Sequence, residues 1–197
     1  MPSVPFRFLP SPFFDARPPA TRIDLLVIHA ISLPPGCFGG TVIDDLFLGQ
    51  LAQRDWGPAK PSFYEEVVAL RVSAHFLINR LGHITQYVPV AERAWHAGVS
   101  VWQERPRCND FSLGIELEGD AHTPFEPVQY RRLASLIKTV HQGLVQRDWG
   151  ALTPQNMVGH AQIAPGRKWD PGPFFAWDVL WTQLRRARPT QWPVVWP

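Results

Sequence analysis

The sequence is poor in cysteine, contains no long apolar run and has little excess of charge. Its two cysteines, Cys37 and Cys108, form neither a disulfide framework nor a CxxC site, so reduced thiols are expected. No segment is long enough to span a membrane, and the N-terminus lacks the pattern of a signal peptide. A formal net charge of +2 does not favour nucleic acid or an anionic membrane as a partner. We therefore expect a cytoplasmic protein that binds neither.

Proline and tryptophan, by contrast, are abundant, with 21 and 9 residues. The prolines are spread between apolar segments, which indicates a loop-rich surface and not a disordered chain. A chain of 197 residues suits one domain. We predict a proline-rich N-terminal arm over residues 1–22, a single domain over 23–187 and a Pro/Trp tail over 188–197. We expect the protein to be a monomer.

The apolar pattern predicts strands mixed with helices. Residues 23–30 have the length and β-branched content of a buried strand, and residues 112–119 alternate as a strand does. Residues 73–79 and 84–88 flank a hairpin turn, while helical spacing begins at Pro127 and recurs from Trp177. A hairpin among strands joined by helices predicts an α/β fold with a mixed central sheet flanked by helices.

A stiff loop near the C-terminus contains residues suited to zinc. His160 and Asp170 lie in a loop with three glycines and three prolines, and His29 lies at the end of the first predicted strand. Two of these residues have an ordinary alternative: His29 suits a strand end, and Asp170 suits a helix cap or a turn before Pro171. Two histidines and one carboxylate together are a three-ligand zinc set that leaves the fourth position open, as in catalytic sites. The residues therefore predict a zinc hydrolase.

Amide hydrolysis also needs a carboxylate that moves a proton. Glu116 and Glu118 lie on the same side of one predicted strand, so either suits this role, and an acidic solvent face is the alternative for one of them. Lys168, two residues before Asp170, is placed to offer positive charge to an oxyanion.

Five stretches of the chain resemble the type 2 N-acetylmuramoyl-L-alanine amidases. Within that family the similarity is to the cytoplasmic branch that acts on 1,6-anhydro-muropeptides, and it runs from about residue 11 to residue 184. The stretches are HAISLPPG at 29–36, RVSAH at 71–75, RAWHAGVS at 93–100, CNDFSLGIELEG at 108–119 and DPGP at 170–173.

This resemblance implies one Zn²⁺ per chain, held by His29, His160 and Asp170 in a surface groove beside a mixed sheet. It also implies that Glu116 is the catalytic carboxylate and that Lys168 is the transition-state cation. The substrate implied is a muropeptide, cleaved between the lactyl group of anhydro-N-acetylmuramic acid and L-alanine during cell-wall recycling. One departure is Ala30, where related enzymes have an asparagine, so no substrate contact is predicted from that side chain.

The peptide of such a substrate has several carboxylates, for which guanidinium groups are natural partners. Arg71 and Arg107 lie in matching stretches and are predicted to bind it, although both also suit an ordinary surface. Trp95 and His96 are predicted to line the groove, with packing as the alternative. Two other functions stay open: cleavage of intact peptidoglycan, and non-catalytic peptidoglycan recognition. Recognition modules typically lose a zinc ligand, whereas this chain retains the whole set.

Overall fold

The apolar runs form a six-stranded sheet in the structure, a computed structural model that describes residues 6–57 and 60–197. The first five residues of the predicted arm lie outside the described part of the chain. The described strands are β1 Phe6–Phe8, β2 Phe14–Asp15, β3 Leu25–Ile31, β4 Phe76–Ile78, β5 Ile84–Gln86, β6 Arg93–Ala94, β7 Val101–Trp102, β8 Arg105–Pro106, β9 Ser112–Glu118 and β10 Met157–Gly159. The described α-helices are α1 Val42–Phe47, α2 Tyr64–Val67, α3 Pro127–Gln146, α4 His160–Ile163 and α5 Trp177–Arg186.

The central sheet is mixed, with the strand order β1-β5-β4-β9-β3-β10. The predicted hairpin forms the antiparallel pair β4–β5, and the other neighbouring pairs in this order are parallel. This confirms the predicted α/β class. Because β3, β9 and β10 are parallel neighbours, their carboxyl ends meet at one edge of the sheet, where α/β proteins commonly bind ligands.

One face of the sheet packs against the two long helices. Ile28 of β3 and Ile115 of β9 point to this face and join the largest apolar cluster with residues of α3 and α5. Pro127 is the first residue of α3, as predicted, and a capping box between Glu126 and Gln129 closes the end of that helix. The helix therefore begins where the sequence favours it.

The opposite face of the sheet bears the polar residues of interest. Leu25 and Val27 alternate with Ile28 and pack on this second face against loop residues. His29 continues this alternation, so its side chain lies on the second face. In the pairing of β3 with β9, His29 stands directly opposite Glu116. The register therefore places a predicted metal ligand beside a predicted catalytic carboxylate.

Both terminal segments pack onto the domain. β1 extends the edge of the central sheet, and the Arg17 guanidinium donates hydrogen bonds to the backbone oxygens of Asn109, Asp110 and Ser112, at 2.8–3.0 Å. The C-terminal tail returns to the fold, where the Trp196 carbonyl accepts a hydrogen bond from the Ala91 amide at 2.8 Å. The predicted arm thus contributes strands and a partly buried arginine that anchors it to the domain. Within the described ranges, no helix combines the length and the apolarity needed to cross a membrane.

Candidate metal centre and catalytic site

The three predicted metal ligands come from neighbouring parts of the sheet edge. His29 lies near the end of β3, and His160 is the first residue of α4, directly after β10. Since Gly159 of β10 pairs with Ile28 of β3, the two histidines leave adjacent strands at the same edge. Asp170 follows at the end of the stiff loop. All three side chains are buried.

The glycine and proline residues of the loop bring Asp170 back to His160. The Ala161 amide donates to the carbonyl oxygen of Asp170 at 2.9 Å, which closes the loop. A Cβ on Gly159 would lie 2.6 Å from the Pro171 ring, so only glycine allows this approach. The composition that marked this loop in the sequence therefore has a direct structural reason.

The ligand atoms form an almost equilateral triangle. The Nδ1 atom of His29 lies 3.0 Å from Nδ1 of His160 and 3.0 Å from Oδ2 of Asp170, and the third side measures 3.1 Å. Ligands of a tetrahedral zinc ion at about 2.0–2.2 Å stand roughly 3.3–3.5 Å apart, so the triangle is within about 0.5 Å of that spacing. One cation would satisfy all three atoms at once, and the donor set of two imidazoles and one carboxylate fits zinc.

The ionisation of these groups suits metal ligands. Burial lowers the pKa of His29 to about 4, although the hydrogen bond to Asp170 opposes this shift. Burial works against the charge of Asp170, but the hydrogen bonds to His160 and His29 outweigh it and hold the pKa of that carboxyl below its ordinary range. A neutral imidazole and an ionised carboxylate are the forms that bind a metal ion.

Glu116 is a buried carboxyl with a free oxygen. Its Oε2 atom has no hydrogen-bond partner within residues 6–57 and 60–197. Burial raises its pKa well above the ordinary value, the charge of Asp170 adds to this, and the charge of Lys168 opposes it. A carboxyl that holds its proton more tightly than usual, beside a candidate metal site, is suited to proton transfer.

Glu118 is buried as well, but it is fully engaged. Its two oxygens accept hydrogen bonds from the backbone amides of Gly39 and Arg80. The interpretation of one glutamate as an acidic solvent face is therefore wrong, because both carboxyls are at least nine-tenths buried. Glu118 ties two loops to the end of β9, whereas Glu116 is left available for chemistry.

Lys168 is exposed at the rim of the site. Its charge lowers the pKa of both Glu116 and His29, although burial acts more strongly on each. The lysine is therefore close enough to act on the site electrostatically while its own ammonium group stays in water.

The four residues predicted to bind substrate fall in different places. His96 is buried, and its Nδ1 atom lies 3.0 Å from Nε2 of His29, so it contacts a predicted metal ligand. Trp95 donates to Asp15 at 3.2 Å. Arg71 is an exposed loop residue, and Arg107 is an exposed residue 3.1 Å from Asp110. Among the described residues, no hydrogen bond or ion pair joins Arg71, Arg107 or Trp95 to the predicted metal ligands.

Two residues beside this site were not identified from the sequence. The Ser112 hydroxyl lies 3.2 Å from Nε2 of His96, and a Cβ on Gly114 would lie 2.5 Å from the His96 ring. An isolated glycine inside an apolar strand is a known signal of close approach by another group. Gly114 had that signal; Ser112, an ordinary strand residue in sequence, had none.

Comparison with known proteins identifies the family. Residues 19–173 match the family described as N-acetylmuramoyl-L-alanine amidase. The chain is 50% identical over 174 residues to the 1,6-anhydro-N-acetylmuramyl-L-alanine amidase AmpD of Salmonella typhimurium (strain SL1344), covering 88% of this chain and 87% of that protein.

Solved structures agree with this relationship. The crystal structure of a selenomethionine AmpD derivative superimposes with a TM-score of 0.80 at 46% identity, covering 90% of this chain and 93% of the other. The amidase AmiD of Escherichia coli, in complex with anhydro-N-acetylmuramic acid-L-Ala-D-γ-Glu-L-Lys, superimposes with a TM-score of 0.56 at 32% identity. That match covers 85% of this chain and 60% of AmiD.

Proposed function

The chain belongs to the N-acetylmuramoyl-L-alanine amidase family, and we infer that it hydrolyses 1,6-anhydro-muropeptides in peptidoglycan recycling. The bond cleaved joins the lactyl group of anhydro-N-acetylmuramic acid to L-alanine. Half of the residues are shared with a curated amidase of that specificity over most of both chains. The observation that supports this reaction best is the buried triangle of His29, His160 and Asp170 beside the unpaired oxygen of Glu116.

We propose that His29, His160 and Asp170 hold one zinc ion. When bound there, zinc lowers the pKa of water to about 7 and polarises the scissile carbonyl. The protein supplies the proton transfer: Glu116 takes a proton from the attacking water at Oε2 and delivers it to the leaving nitrogen of L-alanine. Its raised pKa supports this task, because a more basic carboxylate takes the proton from water more readily and is then a carboxylic acid that can donate it to the leaving nitrogen.

Lys168 is proposed to stabilise negative charge on the carbonyl oxygen as the amide is attacked. The exposed ammonium becomes more effective when a bound substrate excludes water from the groove. Arg71 and Arg107 are proposed to bind carboxylates of the peptide, and Trp95 to line the same groove. Their exposure supports this, because both guanidinium groups are accessible to a ligand.

We also propose that the protein works in the cytoplasm as a monomer. Two free cysteines, one of them exposed, favour a reducing compartment. The candidate zinc ligands, Glu116 and Lys168 all belong to one chain, so the proposed site needs no second copy.

The test is product analysis with a defined anhydro-muropeptide. Mass spectrometry should show anhydro-N-acetylmuramic acid, with or without its N-acetylglucosamine, and a peptide that begins with a free L-alanine amine. Intact sacculi, offered in parallel, should be cleaved much more slowly. Equal rates on both substrates would indicate a wall-lytic enzyme, and binding without cleavage would indicate a recognition module.

A further inference from the structure

The His29 ring makes a contact through each of its nitrogens. Nδ1 faces His160 and Asp170, while Nε2 lies 3.0 Å from Nδ1 of His96. Nε2 of His96 in turn lies 3.2 Å from the hydroxyl of Ser112. These contacts form a chain from the candidate metal centre to Ser112 of β9. The chain passes through His96, a buried histidine that the proposed reaction does not use.

The protons along this line have one consistent arrangement if Nδ1 of His29 binds a metal. A ligating nitrogen carries no proton, so the neutral ring carries its proton on Nε2. Nε2 then donates to Nδ1 of His96, which must accept, and His96 keeps its own proton on Nε2 to donate to Ser112. Every nitrogen has a partner, and no ring needs a charge.

The ring of His160, the second proposed zinc ligand, contacts Ala97, the residue that follows His96. Nε2 of His160 lies 3.1 Å from the carbonyl oxygen of Ala97, an obligate acceptor, so this ring also carries its proton on Nε2 and directs Nδ1 to the triangle. The His96 side chain therefore accepts a hydrogen bond from Nε2 of His29, and the Ala97 carbonyl accepts one from Nε2 of His160. In both rings Nδ1 is left to face the triangle.

Two sets of contacts hold residues 96–97 in place. The side-chain oxygen of Asn109 accepts hydrogen bonds from the amides of His96 and Ala97, at 3.2 and 2.8 Å. The His96 ring occupies the space above Gly114, where a Cβ would lie 2.5 Å from Cγ of the ring. Real Cβ contacts are never that short, so any other residue at this position displaces His96.

We propose that residues 96–97 are the positioning element of the zinc site: they fix which nitrogen of His29 and of His160 faces the ion. His96 is then a positioning residue that never touches the substrate. This inference rests on the proposed function only through the zinc ion, and not on the muropeptide that is cleaved.

The test compares zinc affinity in two pairs of variants, by competition with a chromophoric chelator. His96→Leu removes the acceptor, whereas His96→Asn keeps one in its side-chain oxygen. Loss of an outer hydrogen bond to a metal-binding histidine typically weakens metal binding about 10–100-fold. We expect that loss in His96→Leu and an affinity near that of the wild type in His96→Asn. Equal loss in both variants, or in neither, would overturn the proposal.

The second pair separates positioning from general damage. Gly114→Ala should weaken zinc binding as His96→Leu does, although His96 is still present. Gly143→Ala is the control, because its Cβ would lie 1.9 Å from the remote Trp196 ring and should lower stability without changing zinc affinity. Unchanged zinc affinity in Gly114→Ala would refute the role of His96.

Thermal unfolding of the zinc-free proteins identifies variants that fail to fold. Zinc binding is measured without substrate, so wild-type protein that binds zinc but cleaves no muropeptide would contradict the proposed function alone. Wild-type protein that binds no zinc would overturn both.

Discussion

Substitution of the two glutamates of β9 should separate chemistry from stability. Glu116 and Glu118 lie on one face of one strand, and both are buried, yet their contacts differ. Oε2 of Glu116 has no partner among the described residues, whereas the oxygens of Glu118 accept one backbone amide each. Glu116→Gln and Glu118→Gln are the same nearly isosteric change in two different environments.

We expect Glu116→Gln to lose activity and keep its fold. The amide cannot accept the proton of the attacking water, and loss of a general base costs about 10²–10⁴ in rate, or about 2.7–5.5 kcal/mol of transition-state stabilisation. No hydrogen bond of Oε2 is broken, and Glu116 is not one of the proposed ligands, so zinc should remain bound.

Glu118→Gln should behave in the opposite way. A glutamine has a single side-chain oxygen, so one of the two amides, of Gly39 or of Arg80, is left facing an NH₂ group. An unsatisfied buried donor costs about 1–3 kcal/mol of unfolding free energy. Turnover per folded, zinc-loaded molecule should stay close to that of the wild type.

The assay is kcat on a defined anhydro-muropeptide, normalised to bound zinc, together with denaturant unfolding of each protein. Loss of turnover in Glu118→Gln, with turnover kept in Glu116→Gln, would refute the roles assigned to the two glutamates. A loss of activity in both variants in proportion to their loss of stability would refute them as well.

Three further predictions follow from the same geometry. Asp170→Ala should lose zinc, because two imidazoles alone make a poor site; zinc retained at one ion per chain, measured by atomic emission, would contradict this. Arg71→Ala and Arg107→Ala should raise KM more than they lower kcat, because contacts to the peptide persist from ground state to transition state; a variant that instead lost zinc would show that the arginine supports the metal site. Burial raises the pKa of Glu116 in the folded protein above its value in the unfolded chain. The contribution of Glu116 to the stability of the zinc-free protein is therefore full below about pH 4, and it is lost as the pH rises through the folded pKa. Glu116→Gln should therefore gain stability relative to the wild type as pH rises, and a difference that stayed constant with pH would count against the buried carboxyl.

Local patterns in the sequence were sufficient for the longest strands and helices, whereas the short strands β1, β2 and β6–β8 were not predicted. The alternation over residues 112–119 predicts β9, and the helical spacing after Pro127 predicts α3, because both depend on neighbours in sequence. The mixed sheet followed from the hairpin. Strand order does not follow from such patterns, since it depends on contacts between distant segments.

The candidate site was predictable only in part for the same reason. His29, His160 and Asp170 could be grouped by their chemistry, because few residue types bind zinc. Alternation put Glu116 and Glu118 on one face but could not separate them, since the amides that engage Glu118 belong to distant loops. The contact of His96 with His29 likewise depends on how two distant segments pack.

Zinc held by His29, His160 and Asp170 is the central requirement of the proposed reaction. The decisive measurement is turnover of a defined anhydro-muropeptide by metal-free protein as zinc is added back. We predict no turnover without metal and a linear rise that ends at one zinc ion per chain. Full turnover by the metal-free protein, or a rise that continues well beyond one ion per chain, would contradict the account.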